Sequence, residues 1–112
     1  MLKPDSIEDG YMHPILNKIS DSGFKIIALK YKKRKREEAE EFYSINSEKH
    51  FFEYLINFIT RGQIIAAVIE KENAVEDFRK LIGTTKPEQA EEGTIRKTFA
   101  RSMGENAVHG SD

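Results

Sequence analysis

The side chains with the most chemistry to offer are three histidines, His13, His50 and His109, set among arginines and lysines. Cysteine is absent, so the chain has no disulfide framework and no thiolate nucleophile. No two of the histidines stand four apart, the spacing that places a zinc-binding pair on one helical face. His13 falls in the first turn of a predicted helix, and His50 precedes Phe51 and Phe52; both read as surface residues. His109 ends a short apolar stretch and meets Gly110, a residue that lets the backbone turn sharply or a ligand come close. Position alone favours a satisfied structural histidine over a reactive one. A glycine-rich Walker loop is missing, as is a G-x-S-x-G elbow. Ser111 and Asp112 are too near His109 in sequence to be read with it as a triad.

Among the cations, Arg79 lies in the last turn of a predicted helix, where its charge complements the macrodipole. Arg96 falls near the start of a short helix, against that trend, which calls for a functional reason. Thr85 and Thr94 flank a long loop and read as caps. The run from Lys30 to Arg36 resembles a phosphate-binding patch, but Glu37, Glu38, Glu40 and Glu41 cancel it, so a solvated surface is the better reading and nucleic acid is not expected as a partner.

These residues need elements to hold them. Lys3-Pro4-Asp5-Ser6 is polar, contains a breaker, and reads as a loop. A helix is predicted from Tyr11 to Ser22, with Pro14 in its first turn and Gly23 as its stop. A nearly continuous apolar strand follows from Phe24 to Tyr31. Alternating charges suggest a short helix ending near Tyr43. Ser47 is a plausible cap for a helix from Glu48 to Arg61, stopped by Gly62. The apolar side chains of that helix, Phe51 and Leu55 among them, spread over about 200°, wider than the ~100° stripe a core needs. The excess edge calls for a subunit contact or a flat ligand, with the contact preferred. Ile64 to Ile69 reads as a strand. Asn73 is placed to cap a helix through Ile82, with Val75, Phe78, Leu81 and Ile82 inward. Thr84 to Gly93 reads as loop, Thr94 as the cap of a helix through Ala100, and Asn106 to His109 as a short final strand.

Helices alternating with four short strands predict an α+β fold, a ferredoxin-like α/β sandwich whose four-stranded antiparallel sheet carries helices packed on it. The 112 residues suit one domain. At 38% hydrophobic and 33% charged, with a net charge of -1, the composition is that of a soluble globular chain with no pull toward membrane or nucleic acid. The first residues do not look like a signal peptide, so a cytoplasmic location is expected.

Two segments together point to a family. Asn106-Ala107-Val108-His109-Gly110-Ser111-Asp112 resembles the N-x-x-H-G-S-D signature of nucleoside diphosphate kinases. Gly93-Thr94-Ile95-Arg96 resembles that family's P-G-T-I-R element, with Glu92 in place of the proline. Lys3-Pro4-Asp5, Tyr43, Phe51-Phe52 and the stretch Arg79 to Thr85 match in order and spacing. Glu105 stands where an arginine is common in the family.

The resemblance implies a phosphotransferase that works by a ping-pong mechanism, with His109 taking the γ-phosphoryl group of ATP or another nucleoside triphosphate and passing it to a diphosphate. It implies that Lys3 and Tyr43 reach the transferred group, that Arg79, Thr85 and Arg96 hold the outer phosphates, and that Asn106 binds the ribose. Phe51 would stack on the base with Leu55 beside it, and Ser111 would help orient the imidazole. Mg²⁺ would arrive with the nucleotide, and the protein itself would supply no metal site. The family forms homo-oligomers, tetramers or hexamers. By the same comparison, residues 1–112 are a single domain shortened at both ends, lacking a C-terminal segment whose glutamate supports the histidine. The competing expectation is a binding module with this fold and impaired catalysis.

Overall fold

The computed structural model describes residues 1–33 and 62–111. The remainder of the basic run, both helices expected between Glu37 and Arg61, and with them Tyr43, His50, Phe51 and Leu55, lie outside the described residues, as does Asp112.

Lys3 to Ser6 does not form the loop expected of it. Pro4 opens a short helix, α1 (Pro4–Glu8), with Lys3 as its extended N-cap. A proline at the first helical position loses no hydrogen bond, and Asp5 in the first turn suits the positive end of the dipole. Helix α2 (Met12–Asp21) follows, burying Ile15 and Ile19 one turn apart. Strand β1 (Lys25–Lys33) pairs antiparallel with β2 (Gln63–Glu70) from Lys25↔Glu70 to Lys33↔Gln63, with a register shift between Ile26 and Ala28. Helix α3 (Ala74–Ile82), a 3-10 turn (Pro87–Gln89) and the short helix α4 (Ile95–Phe99) complete the elements.

Beyond β2 the layer continues through single residues. Leu2 forms antiparallel bridges to Ile65 and to Val108, so the backbone order runs β1, β2, Leu2, Val108. Two of the four expected strands are therefore single bridges among the described residues. Pro4 ends the first after three residues, and a turn at Ala107 interrupts the last. The core gathers on this layer. Leu2, Ile65 and Val108 meet Ile15 and Ile19 of α2, Ile82 of α3, Ile95 of α4, and Phe24.

Two local expectations need correction. Val75 is 43% exposed, while Phe78, Leu81 and Ile82 pack inward as expected. Asn73 does occupy the N-cap position of α3, but in the left-handed region at φ 60°. Its amide reaches the carboxylates of Glu76 and Asp77, not a backbone N–H. Ile27, Leu29 and Tyr31, at alternate positions on one face of β1, are about half exposed. Thr94 caps α4 as expected, its hydroxyl accepting from the Lys97 N–H. No helix among the described residues is long and apolar enough to cross a membrane.

Gly83 joins α3 to the functional residues and has no substitute. Its φ is +87°, and a Cβ there would lie 2.8 Å from Thr94 Oγ1 and 2.9 Å from Thr94 Cβ. Gly83→Ala should therefore combine backbone strain with a clash against a buried cap, lowering unfolding free energy by about 2–4 kcal/mol. Urea unfolding of the two proteins measures it, and a loss below 1 kcal/mol, on the order of an ordinary helix substitution, would contradict this account.

Candidate active site

The chemistry-bearing residues come from opposite ends of the chain and meet at one seam. Met1 and His109 exchange both backbone hydrogen bonds: the Met1 amine donates to the His109 carbonyl at 2.7 Å, and the His109 N–H donates to the Met1 carbonyl at 2.8 Å. The Lys3 N–H donates to the Ala107 carbonyl at 2.8 Å. This pairing carries Lys3, buried at 7% exposure, alongside the final segment. Its Nζ donates to Asn106 Oδ1 at 2.9 Å. The Asn106 amide nitrogen in turn points to the Thr85 carbonyl, at a long 3.5 Å.

Arg96 closes the seam from α4. Its Nη1 donates to the Gly83 carbonyl at 2.9 Å and its Nη2 to the Val108 carbonyl at 3.0 Å. The Arg96 Nε is buried and has no acceptor among the described residues. A guanidinium carries five N–H donors, so Arg96 braces two main-chain segments and keeps donor capacity for phosphate oxygens. Burial lowers its pKa.

Between Asn106 and His109 the chain makes an unusual turn. The Val108 N–H donates to the Asn106 carbonyl at 2.8 Å, an i to i+2 bond that closes a γ-turn. Ala107, at its apex, has φ +74°. The carboxylate of Asp5, fully buried, accepts the Ala107 N–H at 3.0 Å, and Ser6 Oγ donates to the Ala107 carbonyl at 3.1 Å. Asp5 and Ser6 carry no signal in a reading that makes their segment a loop. Pro followed by an acidic residue at a helix start was the cue that could have placed them.

Gly110 has a reason that sequence did not show. A Cβ there would lie 3.0 Å from the Phe78 ring, so the glycine lets α3 pack against the segment after His109. Arg79 is exposed in the last turn of α3. With Met1, Phe78, Gly110 and Ser111 it lines a cleft of about 320 Å³. That cleft is bordered by none of Lys3, Arg96, Asn106 and His109. The structure thus gathers Lys3, Arg96, Asn106 and His109, touches Thr85 through its backbone, and sets Arg79 and Ser111 on the neighbouring cleft. Glu105 accepts from Arg101 Nη1 at 2.8 Å, and the same guanidinium grips the Asp9 carboxylate with two bonds of 2.9 and 2.6 Å. A carboxylate at position 105 therefore tethers the approach to the signature onto the end of α1.

The electrostatics favour a neutral imidazole. His109 is half-buried, and its pKa is lowered from 6.5 to about 4, first by desolvation and then by the positive charges of the N-terminal amine, Lys3 and Arg96. Lys3 is lowered to about 8, chiefly by burial, with Asp5 opposing and Arg96 reinforcing the shift. Both changes follow from placing cations in a region of reduced water. At pH 7 the ring is unprotonated while Lys3 keeps its proton. An NMR titration of the His109 ring in the free protein should give a midpoint near 4, with the ring neutral throughout the physiological range. A midpoint between 6 and 7, the ordinary value, would contradict the burial and the positive field described here.

Comparison with known proteins bears on what such a site is for. Residues 1–112 match the family model described as nucleoside diphosphate kinase. The chain is 50% identical to the nucleoside diphosphate kinase of Flavobacterium psychrophilum over 112 residues, all of this chain and 81% of that protein. It is 46% identical to that of Chlorobium limicola, covering 80% of the relative. Among solved structures, the Aquifex aeolicus nucleoside diphosphate kinase superposes with a TM-score of 0.94 at 39% identity, over 96% of this chain and 79% of the other. The Halobacterium salinarum enzyme, solved in complex with CDP, superposes with a TM-score of 0.95 at 35% identity, over 99% of this chain and 73% of the other. With a seam that brings lysine, arginine and asparagine around a neutral histidine, and with these matches along its whole length, the chain belongs to the nucleoside diphosphate kinase family of phosphotransferases.

Proposed function

We propose that this protein transfers the γ-phosphoryl group of a nucleoside triphosphate to a nucleoside diphosphate through a phosphohistidine at His109. The observation that carries the proposal is the seam that brings Lys3, Asn106 and Arg96 to the segment bearing the half-buried His109. In the first half-reaction the unprotonated ring nitrogen attacks the γ-phosphorus. A nitrogen–phosphorus bond forms, the bond from phosphorus to the β,γ-bridging oxygen breaks, and the diphosphate leaves with that oxygen. No proton need be removed from the nucleophile, so no separate general base is required. A second diphosphate then attacks the phosphohistidine through its terminal oxygen and restores the free ring.

The charge on the transferring group spreads over its oxygens, so the protein's task is chiefly to position and neutralise. Lys3 is the cation for the transferred group. Arg96, with Arg79 and Thr85 from the neighbouring surface, serves the remaining phosphates. Asn106, already aligned by Lys3, serves the ribose. Tyr43, Phe51 and Leu55 are assigned by family pattern to the phosphoryl group, the base face and the base pocket. Ser111 is assigned to imidazole orientation. The lysine, arginine and asparagine gathered at the seam are a set suited to phosphate oxygens. Among the described residues no three His, Asp or Glu side chains gather as a metal cage. Mg²⁺ is assigned to the phosphates of the nucleotide, where it would neutralise their charge. We further assign residues 1–112 to one catalytic domain acting in the cytoplasm as a homo-oligomer, tetramer or hexamer.

Incubation with γ-labelled ATP should give a protein-bound label that is stable to base and labile to acid, and that GDP removes. His109→Gln should take up none. A folded protein that stays unlabelled would instead mark it as a binding module with this fold.

Arg96→Ala should lower kcat/KM by about 2–4 kcal/mol of transition-state stabilisation, since it removes a phosphate donor as well as the brace between Gly83 and Val108. Steady-state kinetics on the folded variant checks this, and an unchanged kcat/KM would remove Arg96 from the ligand set.

A further inference from the structure

The γ-turn at Ala107 is held in a conformation that an alanine does not choose. At φ +74° its Cβ crowds the backbone, and such residues persist only where their surroundings over-determine them. The surroundings here are few and identifiable. Asp5 Oδ2 accepts the Ala107 N–H, while the Lys3 N–H and Ser6 Oγ both donate to the Ala107 carbonyl. Asp5 reaches across 102 positions of sequence to do this. It is fully buried, and its second oxygen, Oδ1, has no hydrogen-bond partner among the described residues. A buried carboxylate with an unsatisfied oxygen is a poor way to fill a core, where an apolar side chain would pack without that penalty. Its Oδ2 is directed at the residue at the apex of the turn. On one side of that apex is Asn106, whose Oδ1 meets Lys3 Nζ. On the other side, Val108 offers its carbonyl to Arg96, and His109 pairs with Met1.

We propose that Asp5 is a positioning residue for phosphoryl transfer: by holding the Ala107 N–H it locks the strained turn that aims Asn106 and His109 at the same bound nucleotide. The inference rests on His109 being the phosphoryl acceptor. Asp5 touches neither the phosphate nor the imidazole in this account. Its effect passes through the backbone, and a small misplacement of a reacting atom is enough to slow a step whose catalysis is mainly positional.

The test is the first-turnover rate of His109 phosphorylation at saturating ATP, measured by rapid quench alongside thermal unfolding. The variants are Asp5→Ala, Asp5→Asn and the double variant Asp5→Ala with Ala107→Gly. Asp5→Ala should slow the first turnover by about tenfold or more in protein that remains folded at the assay temperature. Asp5→Asn keeps the shape and an oxygen acceptor, so its rate should stay within about threefold of the parent. Glycine adopts a positive φ without steric penalty, so the double variant should recover most of the lost rate although a second residue has been changed. A purely structural Asp5 predicts otherwise: a lower melting temperature, an unchanged saturating rate per folded molecule, and no recovery from the glycine. An Asp5→Ala rate within about twofold of the parent would overturn the proposal, as would a folded double variant still slowed about tenfold. If Asp5→Ala does not fold, the double variant and Asp5→Asn decide by the same criteria. A parent protein that takes no label would overturn the phosphohistidine reading itself, and this inference with it, whereas a labelled parent with an insensitive Asp5→Ala variant would sink this inference alone.

Discussion

The site depends on the antiparallel pairing of the two ends of the chain. Met1 to Lys3 and Ala107 to His109 are each too short to be strands, yet their hydrogen bonds bring Lys3 and His109 from more than a hundred positions apart to the same seam. Hydrogen bonds alone would not hold two such short segments in water, where net gains are modest. Leu2 supplies the remainder. At 3% exposure it sits between Ile65 and Val108, so separating the chain ends would expose the centre of the hydrophobic layer. Burial of one leucine thus fixes the geometry of the polar residues on either side of it.

Arg96 shows how a single side chain couples fold to function. Its two bonds to Gly83 and Val108 tie the end of α3 to the final segment, a connection the main chain does not make directly. Those bonds need a residue at position 83 with no side chain to crowd Thr94, and the positive φ there demands glycine as well. The brace also fixes the guanidinium plane. Lysine could carry the same charge but could not reach two carbonyls in one plane and still offer donors to phosphate. The position of an arginine near the start of a helix, unfavourable for the local dipole, is explained by these longer-range bonds.

Much of the fold was legible because it follows from local rules. α2, β2, α3 and the Thr94 cap of α4 came from helical spacing, apolar runs, capping residues and glycine stops. His109, Arg96, Lys3 and Asn106 were legible as a set only through the resemblance, since taken singly His109 read better as a structural residue. What escaped was long-range. The exposure of Val75 and of the β1 side chains depends on which neighbours a face meets, and no local pattern states that. Asp5 looked like a loop residue because its partner lies at Ala107, and an alanine gives no sign that it adopts positive φ. Gly110 suggested a sharp turn or ligand approach, and its close packing against the ring of Phe78 gave no local sign.

The same positive field serves the two halves of the reaction in opposite ways. Burial together with the charges of the N-terminal amine, Lys3 and Arg96 makes protonation of His109 unfavourable. A carboxylate beside the ring would do the reverse, raising its pKa and holding a proton on it. In the proposed reaction the ring would then carry a phosphoryl group rich in negative charge, for which those cations would be the counter-charges. A field that weakens a cation and stabilises an anion at one atom favours the neutral nucleophile at the start and the charged adduct at the end. Because the second half-reaction retraces the first with a different nucleotide, the arrangement needs no change between the two. Lys3 bears the strain of this economy: burial brings its own pKa down to about 8, close to the limit at which it would lose the charge the site requires. Asp5, buried beside it, acts in the opposite direction, but burial outweighs it at Lys3 and raises the pKa of Asp5 itself.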